Sequence, residues 1–218
     1  MRFGRKSASE EPEETAPEAG DESPETGEKT GQNTGPFDAS EVHLDERDCI
    51  DLGSLLIAPV GALELQLQVD EDSGEVMAVV LIGDEGALEL RAFAASRGPG
   101  AWDELRPRIA AEMARMGGTA DERQGSFGAE LQCLVPMQSA DGQPVTQASR
   151  IVGHEGPAWL LRATLMGRPA VEPDLAGPWE ETIRQVVVRR GREAMPPGAP
   201  LPLTLPPEAR RVDAPPAE

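Results

Sequence analysis

Gly83-Asp84-Glu85-Gly86-Ala87-Leu88-Glu89-Leu90-Arg91-Ala92 is answered about 70 residues later by Gly153-His154-Glu155-Gly156-Pro157-Ala158-Trp159-Leu160-Leu161-Arg162-Ala163. Each stretch is followed by a Gly/Pro break, a tryptophan and two acidic residues. These are Pro99-Gly100-Ala101-Trp102-Asp103-Glu104-Leu105-Arg106 after the first and Gly177-Pro178-Trp179-Glu180-Glu181-Thr182-Ile183-Arg184 after the second. Self-similarity of this kind predicts two copies of one strand-turn-strand-helix unit about a pseudo-twofold axis.

Working outward from the first copy, Leu63, Leu65, Leu67 and Val69 alternate with Glu64, Gln66 and Gln68, the pattern of a strand with one buried face. Asp70 to Gly74 reads as a turn, and Val76 to Ile82 is nearly continuously apolar, as in a strand covered on both sides. With Leu88 to Phe93 these form an antiparallel meander, whose Gly83 to Gly86 link is a hairpin turn with glycine supplying the unusual dihedrals. Trp102, Leu105, Ile109, Met113 and Met116 then recur at helical spacing up to Gly117-Gly118, with Pro107 a late start or a distortion.

The second copy opens at Gly128-Ala129-Glu130-Leu131-Gln132, which echoes Gly61-Ala62-Leu63-Glu64-Leu65-Gln66, and runs through Val145 to Gly153 and Trp159 to Met166. Its helix is predicted to have Pro178 near the first position, Glu180 and Glu181 in the first turn, and Arg189, Arg190 and Arg192 at its close. One more strand, Ile50 to Ala58, precedes both copies. The expected fold is α+β: an antiparallel sheet of two three-strand-plus-helix repeats, about 61–117 and 128–192, with both helices on one face. Two half-sized sheets packed as a sandwich are the alternative.

The flanks obey different chemistry. Residues 1–48 carry 14 acidic and 5 basic side chains, and no Val, Ile, Leu, Met, Phe or Trp occurs from Ser7 to Pro36. Such a segment buries too little surface to offset roughly 1–2 kcal/mol of backbone entropy per ordered residue, so it is expected to be a disordered acidic tail. That leaves a single domain over 49–193 and a Pro/Leu-rich arm over 194–218. The formal net charge of -19 divides into -9 for residues 1–48 and -10 for the remainder, which makes direct nucleic-acid binding a poor expectation. Two cysteines are too few for a disulfide framework, no run is long enough to span a membrane, and the charged start lacks a following apolar stretch. The expected location is cytoplasmic.

Little in the chain specifies a reaction. His43, Cys49, Cys133 and His154 are all the imidazoles and thiols present, and they lack metal-site spacing. Cys133 lies in an apolar strand, where a thiol behaves as a small hydrophobe, and its one possible base within the domain is His154. Neither Gly-x-x-Gly segment carries the lysine of a phosphate loop. No catalytic residue, metal ligand or cofactor is assigned. A sharper alternative is that the pseudo-twofold axis brings Asp84 and Glu85 near His154 and Glu155, making a paired-carboxylate site. In the arm, Pro196, Pro197, Leu201, Leu203 and Leu205 form an extended strip that either docks on the protein's own surface or enters a partner's groove.

Gly35-Pro36-Phe37-Asp38, Asp51-Leu52-Gly53-Ser54-Leu55, Gly156 to Arg162 and Met195 to Leu203 together resemble an uncharacterised actinobacterial family classed as a domain of unknown function, whose genes often sit near a dUTPase gene. The resemblance spans about residues 35–207. It implies an actinobacterial, cytoplasmic protein and carries no catalytic residues to transfer. The expected function is a non-catalytic protein-interaction module acting through its sheet surface and Pro-Leu arm. A small-ligand binder or enzyme with a pocket between the repeats is the alternative, and an accessory factor in nucleotide metabolism is a weaker one.

Overall fold

The computed structural model describes residues 35–207 and Ala209, apart from Ala62 and Ala140. In chain order these form β1 (Phe37–Asp38), β2 (Ile50–Asp51), β3 (Leu55–Ile57), β4 (Glu64–Val69), β5 (Val76–Gly83), β6 (Gly86–Ala94), α1 (Ala101–Arg115), β7 (Thr119–Gly125), β8 (Gly128–Gln138), β9 (Pro144–Gly156), β10 (Trp159–Gly167), α2 (Pro173–Gln185) and β11 (Val187–Val188). The fold is α+β, with two sheets and two α-helices among the described residues.

The larger sheet is antiparallel throughout, in the order β4-β5-β6-β10-β9-β8-β7. β6 and β10 meet at its centre with Arg91 opposite Arg162. Alternation along these strands sends Val79, Leu81, Leu88, Leu90, Val152, Leu161 and Leu165 to one face, where they pack with Trp179 and Ile183 of α2. Leu131, Cys133, Ile151 and Leu160 point to the other face, against Trp102 and Ile109 of α1. The helices therefore lie on opposite faces, not on one as the repeat predicted. The physical reason is that β9 and β10 are apolar on both sides, as the neighbours Ile151/Val152 and Leu160/Leu161 show, and each side needs its own cover.

A smaller sheet, ordered β1-β11-β3-β2, joins α2 over the first face. It was not anticipated, for two reasons. The expected strand Ile50 to Ala58 breaks at Gly53, whose φ of 83° turns β2 back onto β3 so that Ile50 faces Ile57. The expected boundary at residue 49 is also too late, since Phe37–Asp38 pairs in parallel with Val187–Val188. The part of the acidic tail before Gly35 lies outside the described residues.

Two further readings change. β7, with Asp121, Glu122 and Arg123, is an exposed edge strand, and its lack of apolar alternation is what hid it. α2 begins at Pro173, which takes the first position, while Pro178 lies inside the helix. It stops at Gln185, so Arg189, Arg190 and Arg192 do not close it. Arg189 instead reaches Asp51, and Arg190 donates to the Ala158 carbonyl.

The C-terminal arm docks on its own domain. Beyond Leu90 the strands β5 and β6 diverge, and the arm enters the fork: Ala94 N–H donates to Ala199 O, Leu201 N–H to Ala92 O, and Leu203 bridges both Val76 and Gly53. Leu201 is 3% exposed within the core, Leu203 is half-buried against it, and Leu205 is 53% exposed.

At the far side of the covered face, Arg150 sits between Glu130 (2.9 Å) and Glu180 (2.7 Å), with Arg184 completing the network at 3.3 Å. Burial alone would raise the Glu180 carboxyl, but hydrogen bonds from Ser126 and Arg150 and the charges of Arg150 and Arg184 outweigh it and hold it below its ordinary value. The network ties α2 to β8 and β9.

Candidate functional site

Asp84 and Glu85 form the β5–β6 turn, where Glu85 pairs with Arg168 and also accepts Arg168 N–H at its backbone carbonyl. His154 and Glu155 lie near the β9–β10 turn. In the β6–β10 register Gly86 faces Gly167 whereas Ala94 faces Trp159, so the two turns stand at opposite ends of β6. At about 3.4 Å per residue that separation is about 27 Å. The structure does not bring the two carboxylates together, and the paired-carboxylate reading fails on this geometry.

Glu155 has a structural task. Its carboxylate accepts the N–H groups of Gly100 (2.9 Å) and Trp102 (2.6 Å), satisfying donors at the start of α1 that have no partner within the helix. The glycines of both Gly-x-x-Gly segments also differ from expectation, for none of the four has a positive φ. They are needed for close approach: a Cβ on Gly153 would fall within the Trp102 ring, one on Gly156 within the Trp159 ring, and one on Gly86 against the Met166 carbonyl. The left-handed position in the second turn belongs to Ala158, at φ 62°.

Trp159 links the two sheets. Its indole N–H donates to Asp38 Oδ2 at 2.6 Å, and the His154 ring lies 6.0 Å away at 33°. Burial pushes the His154 pKa below its ordinary value, against the opposing pull of Glu41 and Glu155. The unfolded imidazole takes its proton near pH 6.5 and the folded one lower, so between those values the unfolded chain binds the extra proton. Stability carried by His154 is therefore complete above about pH 7 and lost as the pH falls through the folded value. Urea melts at stepped pH are expected to show this loss for the native chain and a flatter profile for His154→Gln over the same window. Equal slopes would mean that His154 does not titrate with folding.

Cys133 is fully buried on the α1 side of β8, and burial raises its thiol pKa, whereas His154 projects from the other face of β9. They do not form a nucleophile-base pair. Among the described residues no three His, Cys, Asp or Glu side chains converge so as to hold a metal ion.

A different constellation lies where α1 meets the sheet. α1 covers β7, β8 and β9, and at the margin of this cover a cleft of about 380 Å³ opens. Its walls include Phe93, Arg97, Leu105, Arg108, Leu160 and Arg162, and the arm closes one side with Pro197 and Gly198. Arg91 and Arg162 each place a guanidinium 5.7 Å from the Phe93 ring centre. Arg162 donates to Glu89 at 3.0 Å, while the Nε–H groups of Arg91 and Arg162 are buried without an acceptor.

The family profile described as protein of unknown function DUF3710 matches residues 35–212. The chain belongs to this family. Among solved structures, the crystal structure of LpqN involved in cell envelope biogenesis of Mycobacterium tuberculosis aligns at 12% identity, covering 71% of this chain and 99% of that one, with a TM-score of 0.33. No curated protein matches.

The DUF3710 match begins at Gly35, the first residue the structure describes, and takes in Asp38, the cleft and the docked arm. Of the arm residues singled out in the sequence, Pro196, Pro197 and Leu205 are exposed, while Leu201 is spent on the core. Sequence reasoning missed the arginine cleft of this DUF3710 chain. The one available signal was the recurrence of Arg91 and Arg162 at matching places in the two similar segments, which the register turns into neighbours.

Proposed function

We propose that the chain is a non-catalytic interaction module that takes a protein partner on the uncovered half of its large sheet. The observation that carries this reading is the unequal cover of the two faces. The α2 side is sealed from β4 to β9 by the small sheet, the arm and α2, whereas on the other side α1 reaches over β7, β8 and β9. On that second side Ala78 and Val80 of β5 are already buried, and the surface is formed by the polar side chains Gln66, Gln68, Glu89 and Arg91 of β4 and β6. A largely polar, helix-free sheet face of this kind fits a non-obligate protein interface, which is no more apolar than the rest of a protein surface. The exposed arm residue Pro197 borders this surface through the cleft. The separate placements of Cys133, His154, Glu85 and Glu155 favour binding over catalysis. The two sheet halves are read as copies of one unit whose helices settled on different faces. An actinobacterial, cytoplasmic setting is part of the proposal; among the described residues no helix is long and apolar enough to cross a membrane.

The test uses the half-buried Gln66 and the exposed Gln68 of β4. A double variant Gln66→Arg, Gln68→Arg is expected to keep the native melting temperature. Partners captured by the native chain, once purified, are expected to bind the double variant at least about tenfold more weakly, a loss of roughly 1.4 kcal/mol. Equal affinity for both proteins would overturn this choice of surface.

A further inference from the structure

We propose that the cleft between β6, β10 and α1 binds a small organic anion: a carboxylate carried on an apolar or aromatic body. This goes beyond the partner surface proposed above, and the arginines that test it, Arg97 and Arg108, lie outside that surface. The first observation is charge. In a chain of net charge -19, Arg97, Arg108 and Arg162 line one cleft, against the carboxylate of Glu104, with Arg91 and Glu89 beside Arg162 on the sheet. Glu89 answers Arg162, Glu104 is an exposed residue on the rim, and Arg97 and Arg108 have no ion pair or hydrogen bond among the described residues. The acidic remainder of the surface would otherwise repel an anion, so this is a local reversal of sign.

The second observation is the chemistry of the walls. Phe93, Leu105 and Leu160 are apolar, and the Phe93 ring is flanked by the two guanidiniums. A cleft of about 380 Å³ lies within the size range of small-molecule sites, where an apolar lining with a few polar groups fixes orientation. Arginine suits a carboxylate because its planar fork can donate two parallel hydrogen bonds. A body resting on Phe93 and Leu105 would direct its carboxylate toward Arg97 and Arg108 at the rim. The acceptor-free Nε–H of Arg162 adds to the positive potential there.

The full chain would be titrated calorimetrically at low salt with phenylacetate and with octanoate, and in parallel with phenylacetamide and inorganic phosphate. Saturable binding of the carboxylates is expected with a Kd at or below about 1 mM, and at least about tenfold weaker binding of the amide. The double variant Arg97→Gln, Arg108→Gln replaces exposed side chains and is expected to weaken carboxylate binding about tenfold at an unchanged melting temperature. The β4 variant Gln66→Arg, Gln68→Arg is expected to bind the probes as the native chain does, which separates this site from the partner surface. Equal binding of acid and amide, or no effect of removing the two arginines, overturns the proposal. Phosphate binding as well as the carboxylates would make the cleft a general anion trap and overturn the apolar body as part of the ligand. Displacement of phenylacetate by hexaglutamate at equal concentration would reassign the cleft to an acidic peptide. Absence of binding up to about 10 mM of either carboxylate also refutes it, since that leaves less than roughly 3 kcal/mol of affinity.

Discussion

Arg150→Met is expected to cost about 3 kcal/mol of folding stability, because it leaves Glu130 and Glu180 as neighbouring carboxylates without their shared cation. The estimate takes the low end of the range for broken buried pairs, since about a tenth of each side chain still meets solvent. Urea denaturation at neutral pH measures it directly. The penalty should shrink in acid, as Glu180 protonates and the uncompensated charge disappears. Replacing Arg150 together with both carboxylates, E130M with R150M and E180M, is expected to recover most of the loss, because an apolar trio of similar volume has no charge to desolvate and the partly exposed Arg184 can turn to solvent. A loss below about 1 kcal/mol for Arg150→Met alone would show the network to be screened like a surface pair.

Gly153→Ala carries the second large effect, about 2–3 kcal/mol, through overpacking and not through backbone strain. The added methyl would fall within the Trp102 ring, and that ring is fixed by its indole N–H, which donates to the Ala129 carbonyl at 2.6 Å. Trp102→Leu opens space at the same point. The double variant should therefore be more stable than the two separate losses predict, with a coupling of about 1–2 kcal/mol. Gly177→Ala is the matched control, since its Cβ meets open space on α2. Strict additivity of Gly153→Ala and Trp102→Leu would refute the contact as the cause.

These two sites show where sequence reading succeeded and where it stopped. The strands were legible because burial of one face dictates alternation, as Leu63, Leu65 and Leu67 against Glu64, Gln66 and Gln68 demonstrate. The hairpin glycines are legible as turn residues but their reason is not, because glycine answers equally to an unusual φ and to a neighbour too close for a Cβ, and here the second applies. The start of α2 was displaced by Pro178, which signals a first turn as strongly as Pro173 does. β7 was invisible because an edge strand facing water has no apolar face to reveal its period. Long-range features were hidden most deeply. The arginines of the cleft, Arg97, Arg108 and Arg162, come from the loop after β6, from α1 and from β10, and only the register of β6 on β10 sets Arg91 beside Arg162. The extended arm was legible as Pro-Leu alternation, but its seat in the fork between β5 and β6 depends on where those strands part.

The small sheet has a consequence for the order in which the molecule assembles. Its central strands come from residues 55–57 and 187–188, one outer strand from 37–38 and the other from 50–51, and the Asp38–Trp159 bond closes a span of 121 positions. The large sheet instead grows from two meanders, β4 to β6 and β7 to β10, whose neighbouring strands follow each other in the chain. Closing the long spans costs entropy before any contact offsets it, so the meanders form first and the small sheet zips shut late. The Asp38–Trp159 latch and the docked arm are thus expected among the last contacts made, so Asp38→Ala is expected to speed unfolding more than it slows refolding.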